Sequence, residues 1–383
     1  MLLLVLTSCP ALAQVHTEQA PPPRPADTGR YLVGALMCPL WHGADCWKPL
    51  QRFPDRQPLL GWYDEGRPGV ADWETTWALD HGISFFMVCW YRQKKNIGRQ
   101  PVRGFNEHWL KDALPKSRYD QHLRFAILWE NVNELASGVD SEDDLVNHLL
   151  PYWIDRFFRK PNYLLIDGKP VLGIFGPGRL AAQLGGDAKA AAAIRKMRAA
   201  CRAAGFKDLI LVGQYCWRTD VNPHPQMRQI GLDYSFAYHW PTFAGSDVMP
   251  PGLKPDPKKI IAAMEQCWRS EAKESLPNVV TVSMGWDAEP WGFPCTKAQW
   301  RLTPDEFQEA CRRAKALMDQ RDPAALESRM ILIDNWNEYG EGHYISPTRK
   351  YGFGYLDAIR VVFARPPNGR RQVDDLDTFP PSR

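Results

Sequence analysis

Ile331-Leu-Ile-Asp-Asn-Trp-Asn-Glu-Tyr-Gly-Glu-Gly342 is an apolar run that breaks abruptly into amides, aromatics and two acids. Its first half reads as a strand buried on both faces, the kind found in parallel sheets covered by helices. Acid–base groups gather just past the C-terminal ends of parallel barrel strands, which is where Glu338 and Glu341 fall. Gly340 and Gly342 let the backbone turn sharply enough to bring both acids to one cleft. A loop without a role would rarely set Trp336 and Tyr339 beside two carboxylates, because exposed aromatics leave apolar area in water.

Seven further apolar runs precede this one, at 31–40, 82–91, 123–131, 170–177, 208–215, 232–240 and 279–287, the last-quoted strand spanning 330–338. Helical patterns lie between them. Residues 70–81 carry apolar positions at helical spacing and stop at Gly82; 188–204 is Ala-rich and stops at Gly205, a favourable residue just past a helix end. Thr303-Pro-Asp-Glu306 reads as an N-cap followed by Pro at the first helical position. Eight strands alternating with helices predict an α/β chain folded as a single (β/α)8 TIM barrel. The competing open sheet would show a glycine-rich phosphate turn after its first strand, and none follows Leu40. Gly176-Pro-Gly178 lacks the third glycine and reads as a turn.

In such a barrel the strand ends meet on one face. Here they supply Trp41 and His42, Trp90 and Tyr91, Trp129, Glu130 and Asn131, Phe175, Tyr215, Tyr238 and His239, Trp286 and Asp287, and Trp336 and Asn337. Aromatic faces suit the C–H faces of sugars, and amides, acids and His suit their hydroxyls. These residues, Phe175 and His42 aside, together with His343, are the expected substrate contacts, and the expected partner is a glycan or polysaccharide. Two carboxylates can cleave a glycosidic bond without metal or cofactor, so Glu338 and Glu341 are the expected catalytic pair, with no cofactor and no metal. Glu134 reads as a solvated or helix-capping acid. His42, His239 and His343 could meet at the rim, in hydrogen-bonding roles. There is no His-Glu-x-x-His and no Gly-x-Ser-x-Gly.

The chain has 383 residues, 44% hydrophobic and 24% charged, enough for a barrel-sized core. A net charge of +3 without a basic cluster gives no reason to expect nucleic acid, and 16 Trp serve core and sugar stacking alike. Residues 1–13 resemble a secretory signal, with Ala11-Leu12-Ala13 as a small-x-small cleavage site, so export is expected; Leu6-Thr-Ser-Cys9 leaves a lipoprotein alternative. No segment is long enough for an integral membrane span. Residues 14–30 read as a Pro-rich linker, 31–364 as the barrel and 365–383 as a flexible tail, which holds Asp374, Asp375 and Asp377. Of nine Cys, Cys89 reads as a buried thiol, and Cys38 and Cys46 could close a loop disulfide after export.

Tyr163-Leu-Leu-Ile-Asp-Gly-Lys-Pro-Val171, Gly285-Trp-Asp287 and Asn335-Trp-Asn-Glu-Tyr-Gly-Glu-Gly342 resemble the glycoside hydrolase family 99-like group, which includes WbsX-like proteins. Leu59–Glu65, Trp77–Phe85 and Tyr351–Leu356 fit the same resemblance, which spans about residues 31–360. It implies a (β/α)8 endo-acting mannosidase or mannanase that retains anomeric configuration and uses no metal. The family's Asn-Glu-Trp-x-Glu-Gly motif maps to residues 337–342, with Tyr339 in place of Trp and Gly340 in place of His. The resemblance implies that Glu338 assists attack at the anomeric carbon by deprotonating the sugar 2-hydroxyl, and that Glu341 is the general acid/base. WbsX-like relatives imply a second reading, a glycosyltransferase of polysaccharide biosynthesis. A non-catalytic glycan-binding barrel is a third.

Overall fold

The structure, a computed structural model, describes residues 19–132, 138–215, 222–240, 256–292 and 299–365. The signal-like segment, Glu134 and the tail beyond residue 365 lie outside the described residues.

All eight expected strands form: β1 (Leu32–Met37), β2 (Phe85–Tyr91), β3 (Arg124–Glu130), β4 (Lys169–Ile174), β5 (Ile210–Gln214), β6 (Tyr234–Phe236), β7 (Val280–Ser283) and β8 (Met330–Asp334). They pair in parallel in the order β6-β5-β4-β3-β2-β1-β8-β7. The ring closes between β6 and β7 through a single parallel bridge, Ser235 to Asn278, with Ser235 N–H donating to Pro277 O at 2.9 Å and Val279 N–H to Ser235 O at 2.8 Å. The chain is a (β/α)8 TIM barrel.

Helices α1 (Pro68–Asp80), α2 (Asp187–Ala203), α3 (Pro257–Glu271), α4 (Pro304–Met318) and α5 (Gly354–Phe363) belong to the outer layer. Thr303 caps α4 in a reciprocal capping box with Glu306, as its sequence signals. After β3 the layer is less regular, with consecutive short helical pieces at Asp144–Leu149, Leu150–Trp153 and Ile154–Phe158. Buried Arg92 anchors this stretch to the end of β2 through both oxygens of Asp144, each at 2.6 Å.

Residues 19–30, within the expected Pro-rich linker, dock on the barrel. Arg118 and Tyr119 donate to Ala20 O at 2.9 Å, Thr76 donates to Pro21 O at 2.8 Å, and Ala20 is buried. A segment without regular structure is held here because side chains of the barrel satisfy its carbonyls. Among the described residues no helix is long and apolar enough to cross a membrane.

Candidate active site

Backbone hydrogen bonds shape the loop after β8. Glu341 N–H and His343 N–H both reach Glu338 O at 3.3 Å, and Asp287 N–H holds Glu341 O at 2.7 Å. Gly342 sits at φ 76°, where a Cβ would lie 2.8 Å from Asp287 N and O. At Gly340 a Cβ would fall 2.1–2.4 Å from ring atoms of Trp291. Gly340→Ala is therefore expected to cost about 1–3 kcal/mol by overpacking, read from the urea unfolding midpoint; an unchanged midpoint would disprove the tight seat of this loop against Trp291.

The two acids sit in different surroundings. Glu338 is buried, and Tyr238 donates to its Oε1 at 3.2 Å. Burial, with the nearby charge of Glu341, pushes the Glu338 carboxyl up to about 8. The Glu341 side chain is 26% exposed, and its Oε2 lies 2.9 Å from Nε2 of His343. His343 in turn presents Nδ1 to Oδ1 of Asp334, and Oδ2 of Asp334 lies 2.6 Å from Nδ1 of His239. Burial opposes charge on His343, but Asp334 and Glu341 outweigh it and raise the imidazole to about 10. Burial likewise works against the Asp334 anion, and the two imidazoles more than offset it, holding the carboxyl at about 2. His239 is lowered by burial despite Asp334. Donor atoms of His239, Asp334 and His343 all lie within 4.8 Å of one another. Nδ1 of each imidazole is engaged directly by an Asp334 oxygen, so the trio forms a hydrogen-bonded chain.

Several expected contacts converge on this loop. Tyr238 also accepts from Asn335 Nδ2 at 2.9 Å, which ties the end of β6 to the end of β8. Half-buried Trp286 lies 4.9 Å from the His239 ring and 5.2 Å from the His343 ring. The Tyr91 hydroxyl is 3.1 Å from the Cys38 thiol, and burial raises its pKa well above the ordinary range, so it remains a neutral donor. Glu130 lies on β3 opposite Tyr91, and its Oε1 accepts from Val132 N–H at 3.0 Å. Tyr215 stays half-buried against His224 and Trp240.

Other expected contacts serve the fold. Trp90 and Trp129 pair across β2 and β3 and turn outward onto Trp153, leaving Tyr91 and Glu130, one residue on, to face inward. Trp336 is sealed against Phe86 and donates to Glu74 at 3.1 Å. Trp41 is buried in a stack with Trp47, its ring centroid 4.1 Å away. None of these four offers a face to a ligand. Asn337 is spent on the backbone N–H of Cys38 at 3.0 Å and on Glu65 at 2.5 Å. Asn131 clasps Gly176, accepting its N–H at 2.7 Å and donating to its carbonyl at 2.9 Å. Asp287 pairs with Arg56, whose Nη1 also donates to Tyr339 O at 2.8 Å, so it anchors the acid loop. His42 stands apart, exposed and bonded to Asp64 at 2.8 Å. Cys38 and Cys46, which could have closed a loop disulfide, are both free thiols, Cys46 donating to Gly43 O at 2.9 Å.

Three residues central to this geometry lie outside the expected site set: Asp334, Arg56 and Glu65. Of these, Asp334 carries a signal in the sequence, a charge closing an otherwise apolar strand.

A family model described as glycosyltransferase WbsX matches residues 51–359. The chain belongs to the WbsX family. WbsX-family membership is accompanied by a likeness to the uncharacterized protein WxcX of Xanthomonas campestris pv. campestris, 22% identical over 341 residues. That match covers 82% of this chain and 44% of WxcX, so the chain spans less than half of its relative's length. Among solved structures, a glycoside hydrolase-like protein superposes with a TM-score of 0.59 at 17% identity, covering 90% of this chain and 98% of the other. A GH99 endo-alpha-mannosidase from Bacteroides thetaiotaomicron superposes with a TM-score of 0.56 at 14% identity, covering 87% and 96%. At these identities the likeness carries the barrel fold of this WbsX-family chain. It is consistent with the family 99-like resemblance of its motifs.

Proposed function

We propose that this WbsX-family chain is an exported, metal-independent, retaining glycoside hydrolase that cleaves within glycan chains, mannose-containing ones among them. One observation carries the reading: Glu338 and Glu341 share one loop on the C-terminal face of a TM barrel, one sealed and basic, the other partly open. A carboxylate raised by burial is the stronger base, which suits Glu338 to removing the proton of a sugar 2-hydroxyl. Glu341, open to a substrate, suits the general acid/base. Trp286, Tyr91 and Tyr238 would border the sugar. The small-x-small site at Ala11–Ala13 supports export.

The description of the matching family favours a second reading, a glycosyltransferase. The two separate on one assay: the full chain is incubated with α-mannan, bacterial exopolysaccharides and plant glycans without any nucleotide sugar. Release of shorter oligosaccharides supports the hydrolase. Inertness on every glycan, joined by sugar transfer once a nucleotide sugar is added, would overturn it.

A further inference from the structure

His343 is fully buried, and both of its ring nitrogens face carboxylate oxygens: Nδ1 meets Asp334, and Nε2 meets Glu341 at 2.9 Å. A neutral imidazole has one N–H and one lone pair, so it cannot donate to both. A proton therefore lies along the Nε2–Oε2 line, on the ring or on the acid. Asp334 cannot take it readily, because its second oxygen is occupied by His239 at 2.6 Å. We infer that His343 is a positioning residue that stores the proton which Glu341 delivers to the leaving group, with Asp334 and His239 bracing it from behind. The inference rests on the proposed role of Glu341 as general acid.

Glu338 takes the proton of the sugar 2-hydroxyl, whose oxygen bonds to the anomeric carbon; as the glycosidic C–O bond breaks, its electron pair goes to the leaving oxygen, which takes a proton from Glu341. The Nε2 proton of His343 moves to Glu341, and the ring becomes neutral against ionised Asp334. When water later attacks the anomeric carbon, the bond to the 2-oxygen opens, that oxygen retakes its proton from Glu338, the proton lost by water returns through Glu341 to His343, and nothing is consumed. The charged and titratable groups around His343 come from four elements. Asp334 ends β8; Glu338 and Glu341 share its loop; His239 and Tyr238 follow β6; Arg301, on the short strand Trp300–Arg301 that pairs antiparallel with Gly285–Trp286, donates to Gly342 O at 2.7 Å. Two carboxylates in direct contact, against one more distant guanidinium, favour keeping the proton on the ring.

The test begins on the free full-length chain with 15N-labelled histidine, followed by NMR across pH. One ring is expected to keep both protons well above the ordinary histidine range, and Glu341→Gln is expected to displace its Nε2 resonance. His343→Gln assigns that ring; should this variant not fold, the displacement in Glu341→Gln assigns it. A ring that titrates in the ordinary range, or one indifferent to Glu341→Gln, overturns the inference whatever the enzyme cleaves. Activity supplies the second arm. Gln at 343 can still donate to Glu341 but has no proton to pass on. His343→Gln is expected to lose roughly 10²-fold on a glycan and little on the matching glycosyl fluoride, whose leaving group needs no proton. Equal losses on both substrates would reduce His343 to a structural role. Failure of the hydrolase reading would appear separately, as wild-type protein inert on both.

Discussion

Glu341→Gln is expected to slow glycan cleavage by roughly 10²–10⁴-fold, the usual contribution of a positioned general acid, while leaving the unfolding midpoint close to that of the wild type. The side chain is partly exposed and its neighbours are hydrogen-bond partners that an amide can still meet. Glu338→Gln should be comparably slow for a different reason, loss of the base beneath the sugar. The two roles separate in the pH profile of the wild type. A base held up to about 8 is largely protonated at neutral pH, so kcat/KM should climb as pH rises toward that value. Product release measured across pH on one glycan decides the matter. Full activity in either Gln variant would remove that residue from the reaction.

The second large effect is on stability. Asp334→Ala leaves buried His343 beside Glu341 without its inner counter-charge and strips His239 of its partner. Removing one member of a buried, hydrogen-bonded ion pair costs about 3–5 kcal/mol, which guanidinium unfolding would detect; a loss below about 1 kcal/mol would show that the pair is not structural. Asp334 lies below its ordinary value of 3.8, so its contribution is complete above 3.8 and vanishes as pH falls through about 2. His343 lies above its ordinary 6.5, so its contribution is complete below 6.5 and vanishes as pH rises through about 10. Glu338 and Glu74, both raised to about 8, lose theirs in the same alkaline direction. Wild-type stability should therefore decline steadily on the alkaline side of neutrality.

The architecture was open to reading because a strand covered on both faces must be apolar along its length. All eight such runs became barrel strands, and Thr303 capped its helix where its side-chain chemistry said it would. The rim was harder. Neighbouring residues on a strand point to opposite sides, so Trp90 and Tyr91 are equally good rim candidates until the outer layer is known; Trp153 settles it by receiving Trp90. The acid pair was visible as two charges past an apolar strand. Its support was hidden, because His343 meets Asp334 nine positions earlier and His239 two strands away, and no local pattern announces either meeting. The amides misled in the same way: Asn131 and Asn337 look suited to sugars, yet loop backbones claim them.

The ring of strands has one thin join. Between β6 and β7 a single bridge does the work that ladders do elsewhere, reinforced by Asn278, which donates to the Ser235 hydroxyl at 3.0 Å, and by His224 against Glu271 at 2.7 Å. A few residues on, Trp240 N–H reaches Ser283 Oγ at 2.8 Å, a last stitch beside His239. A hoop with one weak link does not loosen evenly. Backbone opening would start at this stitch, and the first interior group to meet water would be the imidazole at the far end of the proton chain, well before the floor of the barrel is disturbed.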